Sequence, residues 1–239
     1  MKREEIFRNT KSWYTHLNNY TSSNLINFAL NNSGKNILDI GCATGEYCQK
    51  LNSHGFKCIG IDNNPKYIKK AKESGLEAYV MDGTSLEFPD NSFDTIIIFE
   101  VLEHVKDPEG ILKEAKRVAR KNILVTVPNS TGVSTLGKFG LTYDHMLDED
   151  HINFFTKSDL EQMLKKYFKE FEVKELEPMV VCITNPWWLK FLFLLFYKLK
   201  ISKLRTLKYI RSKLIITVLN ITFNKISLIL CNDIPKPNL

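Results

Sequence analysis

Short apolar runs and amphipathic stretches alternate along most of this chain. The runs at Asn36–Ile40, Lys57–Asp62, 77–81, Phe93–Phe99 and 122–127 stay apolar through their middles, as in T-I-I-I-F from Thr95 and I-L-V from Ile123. Continuous apolar runs of this length, rather than an apolar/polar alternation, predict strands buried on both faces. The stretches between them carry helix punctuation. Asn64-Pro65 opens one, with a capping side chain and a proline suited to the first helical position, and Ile68 and Ala71 then share its inner face. Asp107-Pro108 opens another, with Ile111, Leu112, Ala115, Val118 and Ala119 at helical spacing. Thr156 to Asp159 reads as a capping box ahead of Leu160, Met163, Leu164 and Phe168. Strands alternating with helices predict an α/β fold, with a mostly parallel sheet covered by helices on both faces.

After about residue 170 the pattern changes. A sixth strand is predicted at 171–176 and a seventh at 226–231, with a long segment at 186–225 that reads as helical. The N-terminal segment, with Trp13, Tyr14, Leu17, Tyr20, Leu25, Ile26 and Phe28, is predicted to form helices ahead of the first strand. The expected organisation is a helical cap at 1–35, a core at 36–178, a basic and apolar helical insertion at 179–225, and a last strand with tail at 226–239. All four belong to one structural domain.

Composition adds two points. With 239 residues, 44% hydrophobic and 25% charged, the chain fits one large soluble α/β domain with an appendage. The start, MKREEIFRNTKSWY, has no apolar run flanked like a secretory leader. The five cysteines, at 42, 48, 58, 182 and 231, form no C-x-x-C, which fits reduced thiols in a cytoplasm and neither a disulfide frame nor a zinc site. The net charge of +6 is unevenly spread: residues 178–239 carry ten Lys/Arg and one acid, leaving residues 1–177 mildly acidic. A different task is expected for the basic part.

Candidate chemistry clusters where the predicted strands end. In an open α/β sheet, ligands bind beyond the C-terminal strand ends. The first strand runs into Asp39-Ile40-Gly41-Cys42-Ala43-Thr44-Gly45. Glycine at 41 permits a sharp turn and close ligand approach, and the helix expected from about Glu46 offers N–H groups and a positive dipole end. The Gly41-x-x-x-Gly45 spacing fails the G-x-G-x-x-G dinucleotide pattern. The second strand ends at Asp62-Asn63, where an acid can accept both hydroxyls of a ribose. The third ends at Asp82-Gly83, where a carboxylate can accept an adenine N–H. The fourth ends Phe99-Glu100-Val101-Leu102-Glu103-His104. Singly, Asp39 also reads as a capping acid and Asp62 as an ordinary turn residue.

Together, in this order, these residues resemble the D-x-G-x-x-x-G corner and successive acidic strand ends of class I S-adenosylmethionine-dependent methyltransferases. The chain is especially similar to the branch with an E-V-L-E-H segment and a later H-x-x-F-F-T, here His151 to Thr156, as in O-methyltransferases of ubiquinone biosynthesis. The resemblance implies a Rossmann-like, seven-stranded, mostly parallel sheet with the last strand antiparallel and inserted beside the sixth; the helical insertion read from the pattern would then lie between strands six and seven. It also implies S-adenosylmethionine as cofactor, held by Asp39, Gly41, Cys42 and Gly45 at its methionine end, by Asp62 and Asn63 at the ribose, and by Asp82 and Gly83 at the adenine. Phe99 and Glu100 would line the methionine side.

Methyl transfer from a sulfonium is an in-line displacement, and a base helps when the acceptor is a hydroxyl. Glu103, His104 and His151 are the catalytic candidates, with His145 on the same later loop. Glu100, Glu103 and His104 fall at i, i+3 and i+4, so a helical turn would point all three one way. With His151 they would form a mixed N/O set suited to Mg²⁺ or Mn²⁺. The same segment also occurs in relatives where Glu holds the cofactor and His packs, so both readings stand.

The stretch at 186–202, PWWLKFLFLLFYKLKIS, has a seven-residue apolar run at 191–197 and tryptophans at 187 and 188, and seven basic residues lie between Lys198 and Lys213. Far too short to span a bilayer, it reads as an interfacial segment for an anionic membrane surface. A lid over the cleft, a dimer interface and an RNA-contacting surface are the competing readings. The resulting expectation is a cytoplasmic, peripherally membrane-associated O-methyltransferase with a small-molecule or lipid-linked acceptor. Its rivals are an RNA 2′-O-methyltransferase and a non-catalytic adaptor on the same fold.

Overall fold

The computed structural model describes residues 21–138, 141–148, 150–179, 181–183 and 223–230. In chain order the elements are α1 (Ser23–Asn32), β1 (Asn36–Ile40), α2 (Glu46–Ser53), β2 (Lys57–Asp62), α3 (Pro65–Glu73), β3 (Ala78–Val80), β4 (Phe93–Phe99), α4 (Pro108–Val118) and β5 (Ala119–Thr126). They continue with α5 (Val133–Lys138), β6 (Leu141–Tyr143), a 3₁₀ turn (Asp144–Leu147), α6 (Lys157–Lys165), β7 (Val173–Met179), β8 (Val181–Ile183) and β9 (Phe223–Leu230).

The helix starts follow the local chemistry. The Asn64 side chain accepts from Lys66 N ahead of Pro65, the Asp107 side chain accepts from Gly110 N ahead of Pro108, and Thr156 with Asp159 closes a reciprocal capping box. The sheet order is β3-β2-β1-β4-β5-β9-β7. Five strands, β1 to β5, join in parallel, so the sheet is mostly parallel as expected. β9 pairs antiparallel with β5 and with β7.

Strand parity assigns the two faces. Leu38, Ile40, Ile96, Ile98, Ile123 and Val125 pack with α4 and α6. Ile37, Ile97, Phe99 and Leu124 face the other way, onto α1, α2 and α3. Side chains alternate along a strand, so each residue's partner layer is set by its odd or even place. The turn before β4 is tied down by Arg117, whose guanidinium donates to Leu86 O and Phe88 O and pairs with Glu114 and Asp90.

Several boundaries differ from the sequence reading. β3 keeps three residues of the expected five, although Met81 N still donates to Asp62 O. β5 begins at Ala119, where the chain passes straight from α4 into the strand and a register shift near Phe93 absorbs the extra length. β9 begins at Phe223, so 223–225 are strand instead of the end of a helical insertion; they pair with β7 at Met179, Pro178 and Glu177. β6 and β8 make a separate two-stranded ribbon that the apolar pattern did not announce. The cap residues 1–20 and the segment 184–222, with the membrane reading of 186–213, lie outside the described residues.

Candidate functional site

A cleft of about 820 Å³ opens at the C-terminal ends of β1, β2, β3 and β4. Its wall is built from the strand-end loops, and each is fixed by a local reason. The loop after β1 turns at Gly41 (φ +77°), passes Ala43 (φ +47°) and leaves through Gly45 (φ +83°) into α2. Left-handed backbone is where glycine is favoured, and Ala43 holds that conformation at a cost. Hydrogen bonds to β2 hold it there: Gly41 N and Cys42 N both donate to Ile61 O, and Ala43 N donates to the Asp62 carboxylate at 3.0 Å.

Asp62 therefore has a structural duty beside any ligand. One oxygen takes Ala43 N and the other takes Asn64 N at 2.8 Å. A carboxylate offers about four lone-pair sites, so each oxygen keeps capacity for one more donor. Asp82 turns Oδ1 to both Thr84 N and Thr84 Oγ1 at 2.8 Å, and these bonds hold its carboxyl below the usual carboxylate range. Gly83 is also required, since a Cβ there would sit 2.9 Å from Ile40 Cγ2. Glu100 holds a left-handed backbone (φ +56°), unusual for a long side chain. It is secured through its N–H to Thr126 O and through Thr126 Oγ1, which donates to Glu100 Oε1 at 2.9 Å. Such strain persists only where the surroundings over-determine it, and it concentrates at functional sites.

Of the ten expected cofactor residues, Gly41, Asp62, Asn63, Asp82, Gly83 and Glu100 line the cleft. Asp39, Cys42, Gly45 and Phe99 do not. The reason for Asp39 and Phe99 is parity: they share their strand face with Ile37 and Ile97, under α1 to α3. Phe99 packs edge-on to Tyr47. Asp39, 2% exposed, accepts from Cys48 Sγ, which in turn accepts from Cys58 Sγ at 3.0 Å. Burial, opposed by the Cys48 bond and reinforced by the Asp62 charge, pushes the Asp39 carboxyl up to about 7. Cys42 and Cys58 are pushed up by burial, and Cys48 first by its Cys58 neighbour and then by burial, so all three thiols are weak nucleophiles. Cys42 fills the space that Gly60 leaves, 2.6 Å from where a Cβ would stand. Gly45 carries the chain against Leu76.

The expected helical turn over Glu100–His104 is absent. Residues 101–105 form an irregular turn, which separates the three groups. Glu100 goes to Thr126. His104 lines the cleft, while Glu103, 1% exposed, and His151, 6% exposed, sit behind it. The His104 and His151 rings meet edge to face, centroids 4.5 Å apart. One ligand atom each from Glu103, His104 and His151 lie within 4.8 Å of one another. The four-residue metal set thus contracts to three, without Glu100. Burial and the neighbouring His104 charge push His151 below the usual histidine range, favouring its neutral ring. His145 lies farther back, bonded to Ser130 Oγ through Nε2 at 3.1 Å.

Sequence reasoning missed Tyr67, Val101, Lys106 and Asp150 on the cleft wall. Tyr67 had a signal: it sits one turn into α3, five residues past Asp62, and is the exposed aromatic of that helix. Asp150 had none, since only the return of the later loop brings it there. Among the described residues no helix is long and apolar enough to cross a membrane.

Gly41→Ala is expected to weaken ligand binding in this cleft about tenfold, by strain at positive φ and by pressing a Cβ to within 2.5 Å of Val101 Cγ2. Calorimetric titration with S-adenosylhomocysteine measures it, and an unchanged affinity would refute the need for close backbone approach.

A family model described as a methyltransferase domain matches residues 14–168, more than half of the chain. Norajmaline N-methyltransferase of Rauvolfia serpentina is 38% identical over 94 residues, covering 36% of this chain and 32% of that protein. A ubiquinone biosynthesis O-methyltransferase of Xanthomonas oryzae pv. oryzae is 27% identical over 138 residues, covering 54% of this chain and 58% of that protein. The chain thus matches from a third to three fifths of the length of these curated relatives. A SAM-dependent methyltransferase from Archaeoglobus fulgidus superposes with a TM-score of 0.58 at 20% identity, covering 86% of this chain and 90% of that one.

Proposed function

The chain belongs to the methyltransferase-domain family and is a class I S-adenosylmethionine-dependent methyltransferase, and from this premise we propose that it methylates an oxygen of a small or lipid-like acceptor. The observation that carries the cofactor assignment is the Asp62 carboxylate, braced by Ala43 N and Asn64 N with lone pairs remaining on both oxygens. Those lone pairs suit the two ribose hydroxyls. Asp82 and Gly83 suit the adenine end, and Gly41 with Glu100 the methionine end. When bound, S-adenosylmethionine supplies the activated methyl group. The protein's own part is to align an acceptor and take its proton, which a hydroxyl must lose and for which His104 is the group on the wall. Glu103 and His151 orient that ring from behind. The cleft opens next to loops at 101–106 and 150, and acceptor choice is assigned to this side.

The cationic, aromatic segment at 186–213 is assigned to an anionic membrane surface that presents a lipid-linked acceptor, which supports peripheral attachment of a cytoplasmic enzyme. Flotation with anionic vesicles at low salt tests it, and protein left at the bottom refutes it. The insertion would then be the segment between β7 or β8 and β9. RNA as acceptor and an adaptor role on the same fold are the outcomes that would replace this reading.

The test of the whole is calorimetry with S-adenosylhomocysteine, joined to mass spectrometry of small molecules and lipids co-purified from the host. Stoichiometric binding is expected; no binding removes the enzyme reading in favour of the adaptor. The grouping of Glu103, His104 and His151 favours one second reading, a divalent ion that holds the acceptor oxygen. Two imidazoles and a carboxylate fit Mn²⁺ or a similar ion. If that ion is used, EDTA abolishes turnover of the co-purified acceptor and Mn²⁺ restores it; turnover unaltered by EDTA removes the ion.

A further inference from the structure

We propose that Asn153 is a positioning residue for the cleft, fixing the loop at 101–105 and hence His104. This rests on the cofactor reading above and adds to it a residue outside the cleft wall.

The loop after β4 has irregular backbone; Val101 O accepts from His104 N at 2.9 Å, but the carbonyls of Leu102, Glu103 and Val105 need donors from outside the turn. Asn153 supplies them. Its carboxamide Nδ2 donates to Leu102 O at 2.8 Å and to Val105 O at 2.6 Å. Its own N–H donates to Glu103 O at 3.0 Å, and Ile152 N donates to the same oxygen at 2.8 Å. Four hydrogen bonds from two adjacent residues thus grip three carbonyls of one turn. His104 lies between the gripped carbonyls, and its Nδ1 meets Asp150 O at 3.1 Å. Val101, His104 and Val105 all line the cleft.

The choice of side chain follows from this geometry. Only a carboxamide or a cation offers two N–H donors from one nitrogen or fork, and two carbonyls facing one group require two donors and no acceptor. Aspartate has the same shape but would turn a carboxylate onto two carbonyl oxygens. Leucine has similar bulk and no donor. The rest of the segment is anchored independently: Ser130 N donates to Phe155 O at 2.8 Å, and Thr156 caps α6. Asn153 is therefore held from the far side by β5's exit and by α6, and it transmits that fixed position to His104. The loop that carries acceptor-side residues and the loop that lines the cofactor cleft are tied together through this side chain.

The test compares Asn153→Asp and Asn153→Leu with Val118→Ala, a core variant at the far end of α4 chosen to lower thermal stability by a similar amount. Two readouts are taken on the full chain: the ring resonances of His104 by NMR without ligand, and the affinity for S-adenosylhomocysteine. Both Asn153 variants are expected to shift and broaden the His104 signals and to weaken S-adenosylhomocysteine about tenfold, while Val118→Ala does neither. Asn153 variants with wild-type His104 signals, or with no more effect than Val118→Ala on either readout, overturn the proposal. If the wild-type chain itself binds no S-adenosylhomocysteine, the cofactor reading falls, and the His104 signals alone then decide for or against the clamp.

Discussion

Asp62→Ala binds S-adenosylhomocysteine at least 100-fold more weakly than the wild-type chain: this is the largest loss expected from one substitution. Hydrogen bonds to a charged group are worth roughly 1.5–3 kcal/mol each. Two are removed at once, and about 1.4 kcal/mol is a tenfold change in affinity. A second loss adds to the first. Ala43 holds its left-handed backbone against the Asp62 carboxylate, so the loop at 41–45 loses its brace together with the ligand's anchor. Asp62→Asn removes part of the brace and part of the anchor together. Its single carbonyl oxygen keeps one backbone donor while its amide opposes the other, so loop and affinity both suffer with little change in volume. Calorimetry on folded variants, checked by thermal unfolding, gives the answer. A folded Asp62→Ala that binds within threefold of wild type would end the assignment of this carboxylate.

Asp39→Asn is expected to stabilise the chain at pH 8 and to leave it nearly unchanged near pH 4. The carboxyl stands at about 7 in the folded protein, against 3.8 as the ordinary value. Between those values the folded state holds a proton that the unfolded state has released. Stability from this group is therefore complete below pH 4 and is lost as pH rises through 7. About three pH units correspond to roughly 4 kcal/mol across the window at 1.36 kcal/mol per unit, an upper bound for a group inside a polar cluster. Asparagine does not titrate, and its carbonyl still accepts the Cys48 thiol. Urea unfolding of both proteins at pH 4.5, 6 and 8 should show a difference that grows with pH. A difference constant across that range would mean that Asp39 is already ionised in the folded state.

Much of this was legible because it is local. The caps at Asn64, Asp107 and Thr156 work within three residues of themselves, and the side chains present admit few alternatives. β1, β2, β4 and most of β5 announced themselves as apolar runs, since strands covered on both faces must be apolar throughout. The acid at 62 and the acid-glycine pair at 82 and 83 line the cleft, as their place at strand ends suggested. Other expected residues lie off the cleft wall for a reason the chain already contained. Asp39 and Phe99 occupy odd places on strands whose odd residues pack under α1 to α3, so they lie behind the cleft wall. β6 and β8 stayed hidden because each is three residues long; β6 has no apolar run, and the run at 179–183 that holds β8 follows directly on β7.

What the amino-acid sequence determined by itself is the alternation of buried strands and capped helices, and the set of polar groups carried to the strand ends. Tertiary structure alone decided which of those groups meet. Glu103 and His104 stand nearly fifty positions from His151 and Asn153, and no periodicity spans that separation. Their meeting depends on the chain returning past β5, where Ser130 and Phe155 pair, and on an irregular turn at 101–105 whose carbonyls need donors from outside it. Helical spacing would have aimed Glu100 with Glu103 and His104. The irregular turn instead leaves Glu100 bonded to Thr126 and His104 on the cleft wall.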